Sequence, residues 1–187
     1  MNGLLSAVAC ASVLTIAALP AQGTWFDLTG SNTVLEQTGR VAVDRITALL
    51  TANTGSINSN SSTFGINGPG GDDDADEIDV GEILTIAFDQ PVWFEAMAVN
   101  QFGSGTQGTI GIGSLAYTIS TTGTHDLPDV LVPFPGGRVL VQAGSGQFSV
   151  PGFAVRMVPE PAGLALVLVA PLVLGRRAPG RAPTDGD

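Results

Sequence analysis

The chain has 187 residues, of which 44% are apolar, so it has enough material for one domain with a hydrophobic core, plus tails. Seven arginines, no lysine and 17 acidic residues give a net charge of −10, which argues against nucleic-acid binding because no basic surface can neutralise phosphates. The single cysteine, Cys10, excludes an internal disulfide, and together with the single histidine, His125, it excludes a Cys/His zinc site.

Residues 1–23 are predicted to form a helical secretory signal peptide. An uncharged apolar segment, 4–19, ends at Pro20, and the small residues Ala21 and Gly23 form a cleavage site that leaves a mature chain beginning at Thr24. A buried helix or a membrane anchor is the alternative, although about 16 apolar residues fall short of the roughly 20 that span a bilayer. Cleavage would leave no thiol in the mature chain, as suits an oxidising compartment.

Residues 24–157 are predicted to form an all-β domain, a β-sandwich or barrel. Short segments rich in β-branched and aromatic residues alternate with Gly-, Pro- and Asp-rich turns. Within 83–88, both faces are fairly apolar, which predicts a strand covered on both sides. Residues 40–52 fit a strand or a short helix, and 54–63 are predicted to be a loop. The predicted strands are 25–28, 33–37, 83–88, 92–99, 109–112, 115–120, 130–134, 138–142 and 153–158.

An acidic segment, 72–82, places seven carboxylates in 11 positions. Clustered carboxylates and loop carbonyls supply the six to eight oxygens that Ca²⁺ prefers, whereas Mg²⁺ usually keeps its waters. The spacing does not match an EF-hand, and a solvated acidic loop that keeps the protein soluble is the alternative. The predicted ligands of a Ca²⁺ ion are Asp72, Asp74, Asp76, Asp79 and Glu82.

Catalytic signals are weak, and we expect no enzymatic activity. His125 and Asp126 are adjacent in what is predicted to be a Thr/Gly-rich turn, which does not suit a catalytic triad, and no Gly-x-Ser-x-Gly elbow occurs. Glu95 is the best single candidate for a glycosidase carboxylate. The large aromatic residues offer flat surfaces for sugar rings, but in a small sandwich they are more often part of the core. These residues are Trp25, Trp93 and Tyr117.

The C-terminal region has three parts in a fixed order. Pro159-Glu160-Pro161 stays extended because proline disfavours helix and strand pairing. An apolar segment, 162–175, is long enough to enter a bilayer as a helix but short for a stable span, and Arg176-Arg177 would remain in the cytoplasm. A polar tail, 178–187, is expected to be disordered. An ordinary membrane anchor with a proline-rich stalk is the alternative.

This order over residues 158–177 resembles the PEP-CTERM sorting signal of exported bacterial proteins. The resemblance implies recognition by an exosortase, a membrane-embedded processing enzyme, and delivery to the cell surface or an extracellular matrix. Asp76-Glu77-Ile78-Asp79, Gly81-Glu82 and Phe88-Asp89-Gln90-Pro91-Val92 are similar to a recurrent region of these proteins. They imply a jelly-roll-like β-sandwich, similar to carbohydrate-binding modules.

The sequence therefore predicts an exported protein with a structural or adhesive role at the cell surface or in a polysaccharide matrix. Two alternatives remain: a calcium-dependent carbohydrate-binding module and, third, a surface glycoside hydrolase. Its predicted partners are an exosortase, the membrane during sorting, and extracellular polysaccharide.

Overall fold

The structure of the protein, a computed structural model, describes residues 23–30, 33–34, 36–68 and 77–159. Those ranges contain β-strands and no helix, so the prediction of an all-β domain is confirmed. The signal helix and the C-terminal apolar helix lie outside the described residues. The strands are β1 (Thr24–Asp27), β2 (Thr33–Val34), β3 (Thr38–Val43), β4 (Ile46–Ala52), β5 (Ser56–Ser59), β6 (Phe64–Asn67), β7 (Ile83–Phe88), β8 (Val92–Asn100), β9 (Gln107–Ile112), β10 (Leu115–Ile119), β11 (Gly123–Val132), β12 (Arg138–Ser145) and β13 (Ser149–Met157).

Two antiparallel sheets form a β-sandwich-like body. One has four strands in the order β1-β13-β8-β11, and the other has six in the order β10-β9-β12-β7-β4-β3. A smaller antiparallel sheet, β2-β5-β6, contributes Ile57, Phe64 and Ile66 to the same hydrophobic core. From β10 to β13, each successive strand lies in the other large sheet, and β9 and β10 form a hairpin within the six-stranded sheet.

Aromatic side chains fill the space between the two large sheets. Phe26 and Phe94 of the four-stranded sheet stack on either side of Phe153, with centroid distances of 4.8 and 5.6 Å. Phe88 of the six-stranded sheet meets Phe153 edge-on at 5.9 Å. Such contacts between rings add to the stabilisation that comes from burying apolar area. Because side chains alternate along each strand, every second residue reaches this core.

Alternation is clearest in β7, where the buried side chains are Leu84, Ile86 and Phe88. The residues between them, Ile83, Thr85 and Ala87, are half-buried, so the outer face of β7 is covered less completely than its inner face.

Three other local predictions are corrected by the structure. The ambiguous segment 40–52 belongs to the hairpin of β3 and β4, in which Leu50 is fully buried. The predicted loop 54–63 contains β5, whose Ile57 is also fully buried. His125 lies in β11 rather than in a turn, because that strand pairs with β8 from Gly123 onward. In each case pairing with a neighbouring strand outweighed weak local signals.

Candidate functional site

The end of the acidic segment is tied to the body of the sandwich. Ile78 is fully buried, and its N–H donates to the carbonyl oxygen of Phe148 at 2.6 Å. The N–H of Ile66 donates to the carbonyl oxygen of Glu77 at 2.8 Å. Gln147 also donates from its side chain to the Glu77 carboxylate. Residues 77 and 78, at the start of the described part of the acidic segment, are therefore anchored to the body of the sandwich by hydrogen bonds.

The two predicted calcium ligands that the structure describes are joined by a tight turn. The N–H of Asp79 donates to Oε2 of Glu82 at 2.9 Å, and the N–H of Glu82 donates to the carbonyl oxygen of Asp79 at 3.0 Å. Glu82 is buried because its carboxylate folds back onto this turn. Asn53 holds the turn against β4, since it donates to the carbonyl of Gly81 and accepts the N–H of Ile83.

The remaining predicted ligands, Asp72, Asp74 and Asp76, lie outside the described residues. Among the described residues, no group of three or more His, Cys, Asp or Glu side chains is placed to hold a metal ion. The structure thus positions Asp79 and Glu82 on a fixed turn, and the calcium site stays a prediction.

Glu95 belongs to an ionic cluster on the outer face of the four-stranded sheet. The Nε of Arg156 donates to Oε1 of Glu95 at 2.6 Å, and its Nη2 donates to Oδ2 of Asp129 at 2.8 Å. The hydrogen bond to Glu95 and the charge of both carboxylates raise the pKa of Arg156, so its guanidinium stays charged. The ion pair with Arg156 holds the Glu95 carboxylate in one position. A carboxylate fixed in this way is suited to binding a ligand and equally to stabilising the sheet.

Trp25 lies on the same outer face, so its assignment to the core is wrong. Trp25 as a residue is 44% exposed, and its indole ring packs across Gly152 of the adjacent strand. Trp93 is half-buried and lies directly opposite Arg156 in the pairing of β8 with β13. Tyr117 is partly buried against the edge of the core in the other sheet. The structure therefore brings Trp25, Trp93 and the ionic cluster onto one surface, which the sequence did not predict.

Gly152 is the residue that sequence analysis missed. A Cβ atom built on it would lie 2.5 Å from the carbonyl oxygen of Phe26 and 2.7 Å from Cζ2 of Trp25. A glycine inside a strand often marks a close approach of this kind, and that signal was available at Pro151-Gly152. Its partner, Trp25, is remote in sequence, so the contact itself was not predictable.

His125 has no arrangement typical of a catalytic base. Its Nε2 lies 2.9 Å from the carbonyl oxygen of Thr121, at the end of the same strand. The neighbouring Asp126 is exposed. An open cleft of about 570 Å³ beside the turn between β11 and β12 is lined by apolar side chains, and Arg138 is the ionisable residue in that lining. The cleft therefore offers no pair of acidic groups.

Of the predicted processing residues, the structure describes Gly23, immediately before β1, and Pro159, after β13. Ala21, Glu160, Pro161, Arg176 and Arg177 lie outside the described residues. In the part of the chain that is described, no helix is long and apolar enough to cross a membrane.

Comparison with known proteins gives no match: no family model, no curated protein and no solved structure matches this chain.

Proposed function

We propose that the protein is exported, sorted through its C-terminal PEP-CTERM-like segment, and retained at the cell surface or in the extracellular matrix, where it has a structural or adhesive role. The main support is the position of the folded body. Among the described residues, the first strand begins at Thr24, the residue that follows the predicted cleavage, and the last strand ends at Met157, two residues before Pro159. These bounds agree with a folded body that lies between the two proposed processing signals.

The strand order supports a jelly-roll form of the sandwich. In the four-stranded sheet, β1 and β11 form the edges and β13 and β8 the centre. In the other sheet, β7-β12-β9-β10 provide four matching strands, and β3 and β4 extend that sheet on the β7 side. Within the set β1 and β7 to β13, successive strands cross between the sheets apart from the β9–β10 hairpin, as two Greek keys require.

The sorting proposal is tested by intact-mass measurement of the exported protein. We expect a mature chain that begins at Thr24 and lacks Arg176-Arg177. Substitution of Glu160 by Ala should cause the unprocessed form to accumulate at the membrane, whereas Pro183→Ala, in the polar tail, should be processed normally. A surface-retained wild-type protein that keeps its arginine pair would contradict exosortase processing.

A second candidate function is that of a calcium-dependent carbohydrate-binding module. The observation that favours it is the exposed indole of Trp25, which offers an open aromatic face beside fixed carboxylates. In this role Ca²⁺ would order the acidic segment that begins at Asp72 and ends at the turn formed by Asp79 and Glu82.

Calcium binding is tested by thermal unfolding with millimolar Ca²⁺, with Mg²⁺ and with a chelator. A ligand that binds only the folded state raises the melting temperature, and the shift grows with the logarithm of the ligand concentration above Kd. We expect Ca²⁺ to raise it in the wild type but not in an Asp74→Asn/Asp76→Asn variant. Asp126→Asn, an exposed aspartate outside the acidic segment, should still respond. An unchanged wild-type melting curve would remove the calcium site and leave the export proposal intact.

A surface glycoside hydrolase is the third and least supported function. Its test is turnover of polysaccharides that disappears in Glu95→Gln.

A further inference from the structure

Extending the carbohydrate-binding role proposed above, on which this inference rests, we propose that the outer face of the four-stranded sheet binds an extended, uncharged polysaccharide, with one sugar ring stacked on Trp25. This surface, called here the Trp25 face, comprises Trp25, Trp93, Ala98, Gly152, Ala154 and Arg156, with the carboxylates of Glu95 and Asp129.

Trp25 is arranged as a platform. Its six-membered ring crosses Gly152 so closely that a Cβ atom there would lie 2.7 Å from Cζ2 and 3.0 Å from Cε2. One face of the indole is therefore packed on backbone, and the side chain as a whole remains 44% exposed. Packing on a rigid strand restricts the ring before any ligand arrives, which lowers the entropy cost of binding.

Small residues beside Trp25 leave room for a ligand. Ala154 lies opposite Trp25 on β13, and Gly152 lies opposite Ala98 on β8. None of these three residues has a side chain longer than a methyl group, so no large side chain of theirs projects from the sheet next to the indole. A flat sugar ring can therefore reach the ring face without displacing protein atoms.

The polar end of the face lies further along the same strands. Arg156 is two residues beyond Ala154 and lies opposite Trp93. Because β13 lies between β1 and β8, Trp25 and Trp93 are two strand spacings apart across the sheet, and they are also two residues apart along the strands. Their Cα atoms are therefore about 12 Å apart. A ligand that contacts both must therefore extend over more than one sugar ring, and the fixed side chains of Arg156, Glu95 and Asp129 can bond its hydroxyl groups.

The charge on this face selects against anionic polymers. Asp27, Glu95, Asp126 and Asp129 oppose the single positive charge of Arg156, which is already paired with two of them. Carboxylates only accept hydrogen bonds, and the hydroxyl groups of a neutral sugar can donate them. A polymer that carries uronate or sulfate groups would instead be repelled by these carboxylates. The expected ligand is therefore neutral.

Affinity electrophoresis of the purified full-length protein tests the proposal. The gels contain hydroxyethyl cellulose, mixed-linkage β-glucan, xylan or, as the anionic probe, polygalacturonate. We expect retardation by at least one neutral polysaccharide in millimolar Ca²⁺, weaker retardation with chelator, and none by polygalacturonate. Trp25→Ala should abolish the retardation and Trp25→Phe should keep part of it. The matched control is Phe134→Ala, because Phe134 is an aromatic residue that is 54% exposed elsewhere on the surface.

A fluorescence measurement separates stacking from an indirect effect. In Trp93→Phe, Trp25 is the remaining tryptophan, and its emission should shift when the retarding polysaccharide is added. Equal retardation of wild type and Trp25→Ala, retardation by polygalacturonate alone, or no retardation by any probe would overturn the proposal. Export and loss of the C-terminal arginines are measured separately by mass, so they can hold while sugar binding fails.

The surroundings of Gly23 support a second inference, which rests on the proposed signal cleavage. We infer that the α-amino group of Thr24, released by cleavage after Gly23, forms an ion pair with Glu95. A Cβ atom on Gly23 would lie 2.4 Å from Oε2 of Glu95, so this oxygen faces the residue that cleavage removes. The other oxygen, Oε1, is already bound by Arg156 at 2.6 Å.

Thr24 is held in place independently of Gly23. It pairs with Val155 in the sheet, and its Oγ1 donates to Oδ2 of Asp44 at 3.0 Å. The charged groups that the structure records beside residues 23 and 24 are the carboxylates of Asp44 and Glu95, and Glu95 is bound by the guanidinium of Arg156. Because Arg156 is also shared with Asp129, a new ammonium group next to Glu95 would reduce the excess of negative charge.

The test is titration of the α-amino group in the mature protein, followed by the pH dependence of its acylation. In the wild type we expect a pKa raised above the ordinary value and slower acylation at neutral pH. Because the folded-state pKa is raised, the stabilisation is complete below the unfolded value and disappears as the pH rises through the folded value. Glu95→Gln should restore ordinary titration, whereas Asp126→Asn should not.

An ordinary pKa in the wild type, or the same pKa in Glu95→Gln, would overturn the ion pair. N-terminal sequencing of exported protein separates the two proposals. A start at any residue other than Thr24 overturns both the cleavage site and the ion pair, whereas a start at Thr24 with ordinary titration overturns the ion pair alone.

Discussion

Aromatic side chains on the two faces of the four-stranded sheet have opposite environments, although they come from the same strands. Phe26 and Trp25 are adjacent in β1, yet Phe26 is fully buried and Trp25 is 44% exposed. Phe94 and Trp93 are adjacent in β8 in the same way. On the inner face the six-stranded sheet covers the rings, whereas the described residues place no second layer over Trp25.

Residue type alone therefore did not decide which of these aromatic side chains are buried. Trp25 is as large an apolar residue as any in the core, but alternation along β1 points it away from the second sheet. The inner face stabilises the fold through dense ring contacts, and the outer face combines a ring with charged and small residues. Mutations on the two faces should therefore affect different properties.

The largest expected effect is that of Phe153→Ala. Its ring stacks between Phe26 and Phe94, and removing a buried phenylalanine costs about 3–5 kcal/mol of unfolding free energy. Trp25→Ala, on the outer face, should cost less than about 1 kcal/mol. Urea unfolding of both variants measures the difference. Equal losses would mean that the two faces do not have the separate roles described above.

An intermediate effect is expected for Gly152→Ala. The added methyl group would meet the carbonyl oxygen of Phe26 and the indole of Trp25, so we expect a loss of about 1–3 kcal/mol together with weaker polysaccharide retardation. Gly111→Ala is the matched control, because the nearest atom to its Cβ would be Cβ of Leu140 at an ordinary 3.7 Å. A harmless Gly152→Ala would contradict the platform arrangement of Trp25.

The smallest effect on stability should follow Arg156→Gln. Its ion pairs lie at the surface, where water and salt screen them, so the melting temperature should fall only slightly, and less at high salt. Because the pKa of Arg156 is raised, this contribution persists through neutral and mildly alkaline pH. Arg138→Gln, at an exposed arginine with no ion pair to a described residue, should change nothing measurable. A large loss in Arg156→Gln would place the cluster among the main stabilising contacts.

Local patterns predicted the strong strands correctly. The predicted bounds of β7 agree with the structure, and β8 differs by one residue, because alternating apolar residues are flanked there by turn residues. Residues 40–52, which belong to the β3–β4 hairpin, were ambiguous since Ile46, Leu49 and Leu50 also fit a helical face. β5 was missed because its Ser and Asn residues resemble a loop, and its pairing with β6 is what makes it a strand.

In the candidate sites as well, local patterns identified residues, whereas long-range contacts determined their arrangement. Asp79 and Glu82 were identified from charge density along the chain, but the turn that joins them depends on Glu82 folding back onto its own backbone. Glu95 was identified as a candidate from its own segment, but its actual partner, Arg156, lies 61 residues away, and Asp129, which also binds Arg156, lies 27 residues from that arginine. Contacts of that kind depend on strand order, which periodicity does not encode.

The sequence by itself determined that the domain is built from strands, since the two-residue period and the turn chemistry are local properties of the chain. It also suggested the proposed processing signals at the two ends. Only the tertiary structure decided which aromatic residues face the core and which face solvent, because that depends on which sheet covers each strand. The same long-range pairing brought Trp25, Gly152 and Arg156 onto one surface.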